Sequence, residues 1–315
     1  MLEFKSDDLG RHTRMLSIVV PTWNYAEHLE ACLRSVITQM TGECELVVID
    51  DGSTDNTLAI LQAFDVPEGL HVYYLRQENA GPAAARNKCI EVASGRWVMP
   101  LDSDDVLCDG AISSVLRALE THPGIELILG AYYVVDQCGT VRLKLPAALA
   151  ESSRQRVEDY LLTGKTSMVH GACVFPRVLL QDCPYSADLR QGEDIVVFAK
   201  ALMSHQILRL NKPLVIIKKH KDSLRHDASM ALAHGHKVTE MVFAQLPDEF
   251  FALRRPFEAK RALSTFRRCY RAKRYDVADQ LYRQAWKLSW QQSVRWSYLS
   301  KWLRMQLTFC FQKRG

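Results

Sequence analysis

A chain of 315 residues that is 48% hydrophobic and 24% charged, with 15 Gly and 11 Pro, has the composition of a globular protein, not a fibrous or disordered one, and has room for a large domain with an appendage. No stretch approaches the ~20 apolar residues needed to cross a bilayer, and the polar start, Met1 to Arg14, lacks the apolar core of a secretory signal, so a cytoplasmic location is expected. The net charge of +4 hides an asymmetry: residues 251–315 hold sixteen Lys or Arg against Glu258, Asp276 and Asp279, a balance of +13, which leaves the first 250 residues at −9.

Leu16-Ser17-Ile18-Val19-Val20-Pro21 is an apolar, β-branched run closed by proline and reads as a buried strand. Asn24 follows, then helical spacing through Leu29, Leu33, Val36 and Ile37. Glu45 to Asp50 forms a second buried strand ending in Asp50-Asp51-Gly52-Ser53-Thr54-Asp55, turn chemistry that hands over to a helix starting near Thr54 or Asp55. Val72 to Leu75 is a third strand, and Gly81-Pro82 opens a helix from Ala83 to Ala93. A fourth strand, Arg96 to Leu101, delivers Asp102-Ser103-Asp104-Asp105. Strands alternating with helices call for right-handed crossovers and a mostly parallel sheet. Such sheets bind ligands at the carboxyl ends of their strands, and Asn24, Asp50 and Asp51, and Asp102 and Asp104 all fall at that edge.

Further along, Leu127 to Val135 and Val141 to Leu145 read as paired strands, residues 150–166 as a polar helical stretch, and Gly171 to Phe175 as a strand. Gly192-Glu193-Asp194 precedes a helix carrying Ile195, Phe198, Ala199 and Leu202. Pro213 to Ile217 is the last strand, followed by Lys218-Lys219-His220-Lys221-Asp222-Ser223-Leu224-Arg225. From about residue 228 the pattern is helical throughout. Nine cysteines, an odd number without a Cys-x-x-Cys pair, read as reduced thiols of the core and not as a disulfide or zinc framework.

Three carboxylates as close as Asp102, Asp104 and Asp105 repel one another unless a cation sits among them. Hard oxygen donors favour Mg²⁺ or Mn²⁺, which complete their shells with water and substrate phosphates. Ser17 to Asn24, Val48 to Asp55, Asn79-Ala80-Gly81-Pro82-Ala83-Ala84-Ala85-Arg86-Asn87, and Leu101 to Asp105 stand in an order and spacing that resemble family 2 glycosyltransferases of the GT-A fold. The resemblance covers roughly residues 15–225 and leaves the last ninety outside it.

The resemblance implies an α/β fold, a Rossmann-like mostly parallel sheet flanked by helices, here with an α-helical C-terminal extension. It divides the chain into an N-terminal extension (1–14), a catalytic domain (15–227) with a nucleotide-binding half (15–110) and an acceptor-binding half (111–227), and a basic helical region (228–315). It implies inverting transfer of a sugar from a nucleoside-diphosphate donor, UDP by the match at Asp51, to the hydroxyl of a glycan, lipid-linked or other acceptor, as in bacterial surface polysaccharide synthesis. Nucleic acid is not among the expected partners. Pro21, Trp23 and Asn24 would hold the nucleoside, with Trp23 either stacking on the base or simply packing. Asp51 would accept the uracil N3–H, while Asp50 organises the turn. Arg86 would face the base or diphosphate. Asp102 would approach the ribose, with Ser103 in the same donor-binding turn. Asp104 would be the main ligand of Mn²⁺ or Mg²⁺, with Asp102 and His220 as further ligands and Asp105 in support. His220, Ser223 and Arg225 resemble a loop closing over the diphosphate. Asp194 would be the general base and Glu193 would position the acceptor or a loop. A helix acid complementing the macrodipole is the competing reading of both.

A nucleotidyltransferase would need a Gly-rich basic loop after the first strand, where Pro21-Thr22-Trp23-Asn24-Tyr25 stands, and a dinucleotide enzyme would need G-x-G-x-x-G, which is absent. A non-catalytic nucleotide-sugar-binding protein is the remaining rival. In the tail, Trp286, Trp290, Trp296 and Trp302 lie among Lys287, Arg295, Lys301 and Arg304. The pattern suits an amphipathic helix on an anionic bilayer at the inner face of the membrane, and equally a helix packed on the catalytic domain or a partner subunit.

Overall fold

The computed structural model describes residues 2–4, 14–189, 191–219 and 228–312. Its elements in chain order are β1 (Leu2–Phe4), β2 (Leu16–Thr22), α1 (Ala26–Ile37), β3 (Cys44–Asp50), α2 (Thr57–Ala63), β4 (His71–Arg76), α3 (Pro82–Val92), β5 (Trp97–Pro100), β6 (Val106–Leu107), α4 (Ala111–Thr121), β7 (Leu127–Val135), β8 (Val141–Lys144), α5 (Ser153–Glu158), β9 (Cys173–Pro176), α6 (Arg177–Asp182), α7 (Glu193–Ala201), β10 (Ile207–Lys218), α8 (Ala228–Gln245), α9 (Arg254–Arg271), α10 (Tyr275–Leu288), α11 (Trp290–Ser293) and α12 (Trp296–Gln312). A turn of π-helix, Asp159–Thr163, continues α5.

The strands order as β1-β4-β3-β2-β5-β9-β7-β10-β6, with β8 added to β7. β4, β3, β2 and β5 run parallel, as the crossover helices require. β9 joins antiparallel to β5 and to β7, while β7 and β10 pair in parallel. Every residue of β2, β3 and β5 is buried, as expected of strands covered on both faces. Their carboxyl ends deliver Asn24, Asp50 and Asp51, and Asp102 to one edge.

Several details differ from expectation. α2 begins at Thr57, later than expected, because Asp55 spends one carboxylate oxygen on the Thr57 amide (3.0 Å) and the other on the Ala26 amide (3.0 Å), tying the α2 start to α1. β10 starts at Ile207, six residues before Pro213. Exposed Arg209, Asn211 and Lys212 and an irregular register between Leu210 and Val215 mask it in the sequence. Two helices, α4 and α6, lie outside the expected elements. α4 nevertheless buries Ile112, Val115, Leu116 and Leu119 at helical spacing. Among the described cysteines all are free thiols, six of them buried, with Cys108 half-buried and Cys138 exposed.

The C-terminal helices pack directly against the α/β sheet and its helices. Val238, Val242 and Phe243 of α8, with Phe250, Leu253 and Phe257, share one apolar core with Val197, Phe198 and Leu202. A second small core, built on Leu263, Phe266, Tyr282 and Met305, joins α9, α10 and α12. Trp302 belongs to it: its ring stacks on Tyr282 at 4.8 Å and its indole N–H donates to Asp279 (2.8 Å).

One buried carboxylate anchors the approach to β5. Glu45 is fully buried and accepts from the Ser17 hydroxyl (2.5 Å), the Ser94 amide and hydroxyl (2.5 and 2.7 Å) and the Gly95 amide (3.2 Å). Gly95 packs so closely that an added Cβ would stand 2.7 Å from the Ser17 amide nitrogen. Replacing Glu45 by Ala strands several buried donors, so Glu45→Ala is expected to lose on the order of 3 kcal/mol of unfolding free energy in a urea titration.

Candidate active site

The loops at the strand ends are stitched to one another by side chains. Asn24 adopts the left-handed region (φ 54°), which Asn tolerates better than most residues. From there its amide donates to the Ser53 hydroxyl (2.9 Å) and its side-chain oxygen accepts from the Thr54 amide (2.7 Å). Asp50 is fully buried and organises the turn as expected, accepting from the Ser53 amide (2.9 Å) with Arg76 at 3.5 Å. Asp51 is also buried and holds the next loop. One oxygen accepts from the Gln77 side-chain amide (2.7 Å) and the Ala80 amide (2.9 Å), and the other from the Gly81 amide (2.8 Å). Gly52 (φ 72°) permits this approach, since a Cβ there would meet the Asn79 nitrogen at 2.9 Å. Pro21 is buried within β2, whereas Trp23 stands about half exposed at the strand end and is open to a ligand's face.

Arg86 on α3 is the centre of the arrangement. Its guanidinium is buried and donates to Asp102 (2.7 Å) with one terminal nitrogen and to Glu193 (2.8 Å) with the other. It also lies over the Tyr185 ring at 5.6 Å. It joins the carboxylate after β5 to the carboxylate that opens α7, 107 residues away from it in sequence. Burial would lower its pKa, but Asp102 and then Glu193 more than offset this and raise it. Asp102 answers in kind: burial would raise its carboxyl pKa, yet Arg86 and then His170 hold it well below the usual carboxylate range.

His170 and Tyr185 carry no motif in the sequence. The His170 ring nitrogen lies 3.7 Å from the second oxygen of Asp102, and the ring packs edge-on against Tyr185 and Phe198. Tyr185 is held by a reciprocal pair: the Asn87 side chain donates to its carbonyl (2.7 Å) and accepts from its amide (2.9 Å). Only the fold brings these residues to Asp102, and no periodicity could have marked them.

Ser103 and Asp105 are buried in the turn after β5, and Asp102 and Asp104 are half-buried. Cys32 of α1 lies close behind the turn; burial, then Asp105, Asp104 and Asp102, push its thiol pKa well up. No group of three or more candidate ligands gathers among the described residues. The turn offers carboxylate oxygens only, a donor set that suits a hard divalent ion completed by substrate phosphates and not a closed protein cage. His220, Ser223 and Arg225 lie outside the described residues.

Glu193 is buried and Asp194 half-buried in the first turn of α7, entered through Gly192 at φ 83°. One guanidinium thus spans the carboxylate after β5 and the carboxylate that opens α7.

The profile of glycosyl transferase family 2 matches residues 17–182, just over half of the chain. The chain belongs to glycosyl transferase family 2. Among curated members of the family it is similar to glycosyltransferase GlyG of Streptococcus pneumoniae, at 24% identity over 246 residues, covering 75% of this chain and 81% of that one. A PGL/p-HBAD biosynthesis glycosyltransferase of Mycobacterium tuberculosis is 36% identical over 117 residues, covering 37% of this chain and 46% of that one. The chain therefore spans less than half of that second relative. S. aureus TarS 1-349 shares the fold. Its complex with UDP aligns over 95% of this chain and 92% of its own with a TM-score of 0.57 at 16% identity. Its complex with UDP-GlcNAc aligns over 92% and 79% with a TM-score of 0.58 at 18% identity. The family 2 match ends before Glu193 and Asp194, and it is the Arg86–Glu193 ion pair (2.8 Å) that joins the start of α7 to the matched segment.

Removing Arg86 leaves two acids facing each other across a buried space, so Arg86→Gln is expected to lose about 3–5 kcal/mol of stability at pH 7 by denaturant titration. Because the folded-state pKa of Asp102 is depressed, its contribution is complete above about pH 4 and is lost as pH falls further. The gap between wild type and Arg86→Gln should therefore narrow on acidification below that value.

Proposed function

We propose that this family 2 protein transfers a hexosyl or N-acetylhexosaminyl group, with inversion, from a UDP-sugar to an acceptor hydroxyl in bacterial glycoconjugate synthesis. The Arg86 bridge carries the reading, because it gathers donor-side Asp102 and acceptor-side Glu193 about one centre. The binding of UDP and UDP-GlcNAc by TarS, and the glycoconjugate roles in the names of the relatives, support the donor and the setting.

In this reading Trp23 offers its exposed face to the uracil, with Pro21 and Asn24 shaping the strand end. Asp51 receives the base N3–H on the lone pair left beside the Gly81 amide. Asp102, already oriented by Arg86, approaches the ribose, with Ser103 beneath it. Asp104, with Asp102 and His220, holds Mn²⁺ or Mg²⁺. When bound, the ion would offset the charge on the leaving diphosphate as a Lewis acid, and Ser223 and Arg225 would supply further hydrogen bonds and positive charge to that diphosphate. Asp194 takes the proton of the acceptor hydroxyl as its oxygen attacks the anomeric carbon from the face opposite the departing UDP. Glu193, fixed by Arg86, keeps the start of α7 in place.

Family membership leaves the nucleotidyltransferase reading without support.

We further propose that the protein works at the inner face of the membrane. Among the described residues no helix is long and apolar enough to span a bilayer. Trp286, Trp290 and Trp296, together with Leu303, are exposed on α10 to α12 beside exposed Lys287, Arg295 and Arg304, a combination suited to an anionic lipid surface. Trp302 is withdrawn from that face by its stack on Tyr282.

Assays of UDP release across a panel of nucleotide sugars, with and without Mn²⁺, test the catalytic reading. Asp104→Ala should lose metal-dependent donor binding by calorimetry, whereas Asp194→Asn should bind donor normally and lose at least about a hundredfold in turnover. Failure of every donor to yield UDP defeats the proposal. For the membrane contact, a Trp286→Ser, Trp290→Ser, Trp296→Ser protein should pellet less with anionic liposomes than wild type. Equal pelleting rules that contact out.

A further inference from the structure

The geometry points to His170 as a positioning residue: placed against the second oxygen of Asp102, it sets the plane in which that carboxylate meets the donor. The inference rests on the reading of Asp102 as a donor-facing group and adds to it a residue that no motif marks.

Arg86 meets Asp102 through one oxygen only (2.7 Å). A single hydrogen bond fixes that oxygen but leaves the carboxylate free to turn about its last side-chain bond, where the rotational preference is broad. The other oxygen stands 3.7 Å from His170 Nδ1, an electrostatic contact longer than a hydrogen bond. The two oxygens are thus answered from different elements, one from α3 and one from the turn before β9, and together they set the rotation. Asp102 still keeps 36% of its side chain exposed, so a donor can reach it.

The local fold puts the imidazole there. His170 opens a short 3₁₀ turn, His170–Ala172, that leads into β9. Gly171 lets this turn lie against the strand ends, since a Cβ on it would stand 2.7 Å from Val215 Cγ2 and 3.2 Å from Leu101 Cδ1. Leu101 directly precedes Asp102, so the close approach at Gly171 brings His170 alongside the acid. Tyr185 and Phe198 then hold the ring edge-on, with centroids at 5.6 and 5.1 Å.

Packing alone does not call for an imidazole at this place. The ring is buried, and its Nε2 has no hydrogen-bond partner among the described residues. A buried polar atom left unpaired destabilises a fold. Phenylalanine would fill the same aromatic surroundings without that penalty. What phenylalanine lacks is a ring N–H directed at Asp102. A local rule broken without any gain in packing is the mark of a residue kept for the site.

The test uses the full-length protein, calorimetric titration of UDP with Mn²⁺ present, and UDP release from UDP-GlcNAc. His170→Phe keeps the ring and removes the N–H; His170→Asn gives up the ring and keeps an N–H near the place of Nδ1. His170→Phe should melt no lower than wild type, yet bind UDP about 10-fold more weakly, in the range usual for a residue that orients a ligand-binding group. Its KM for UDP-GlcNAc should rise in step, with kcat changed less than about threefold, because the acceptor side is untouched. His170→Asn should melt lower and yet recover most of the UDP affinity. A pure packing role predicts the opposite order of the two variants. A folded His170→Phe protein with wild-type UDP affinity overturns the inference alone, and so does a His170→Asn protein as weak as His170→Phe. Should His170→Phe fail to fold, His170→Ala is compared with His170→Asn, and equal UDP affinity in those two overturns the inference. Wild-type UDP affinity in Asp102→Asn, or no UDP binding by the wild type, overturns the reading of Asp102 and this inference together.

Discussion

A guanidinium withdrawn from water must be matched by negative charge, and at Arg86 that requirement organises the molecule. Two carboxylates, one at the end of β5 and one at the start of α7, can sit close together only because Arg86 stands between them. The bridge ties the parallel part of the sheet to the segment that follows the antiparallel strand β9. Its cost is desolvation of three charges, and geometry answers that cost: each terminal nitrogen of Arg86 has its own oxygen, Tyr185 lies under the plane, and His170 attends the far side of Asp102.

Around this bridge the strand-end loops form a connected set in which the polar residues do two things at once. Asn24, Asp51 and Asp55 each look like ligand-facing turn residues, yet each also accepts hydrogen bonds from a neighbouring loop, while Asp50 accepts within its own turn. A site built this way is preorganised, because the groups that would meet a nucleotide are already held by bonds to one another. The oxygen-only turn of Asp102, Asp104 and Asp105 remains the most concentrated negative charge at the edge, with Cys32 packed behind it.

The C-terminal helices enter the same logic. α8 and the segment up to Phe257 complete the core on which α7 rests. Removing the last ninety residues would therefore expose apolar surface on the catalytic domain itself. At the outer corner of α10 to α12 three tryptophans stand exposed.

The buried strands, the crossover helices and the acidic turn after β5 were legible in the residues because they depend on local rules: β-branched runs make strands, Gly81-Pro82 opens a helix, and carboxylates after a strand mark an edge. Spacing also located Gly192-Glu193-Asp194 at a helix start. Irregular or polar-faced elements were harder to read: β10 begins among Arg209, Asn211 and Lys212, and α2 waits until Asp55 has been spent on two amides. Nothing local could announce that Arg86 would bind acids 16 and 107 residues away, or that His170 and Tyr185 would join them. Those contacts arise from charge balance in a shared interior. A sequence states which charges a chain carries, but which of them lose their water, and which partner each then needs, is decided when the elements pack.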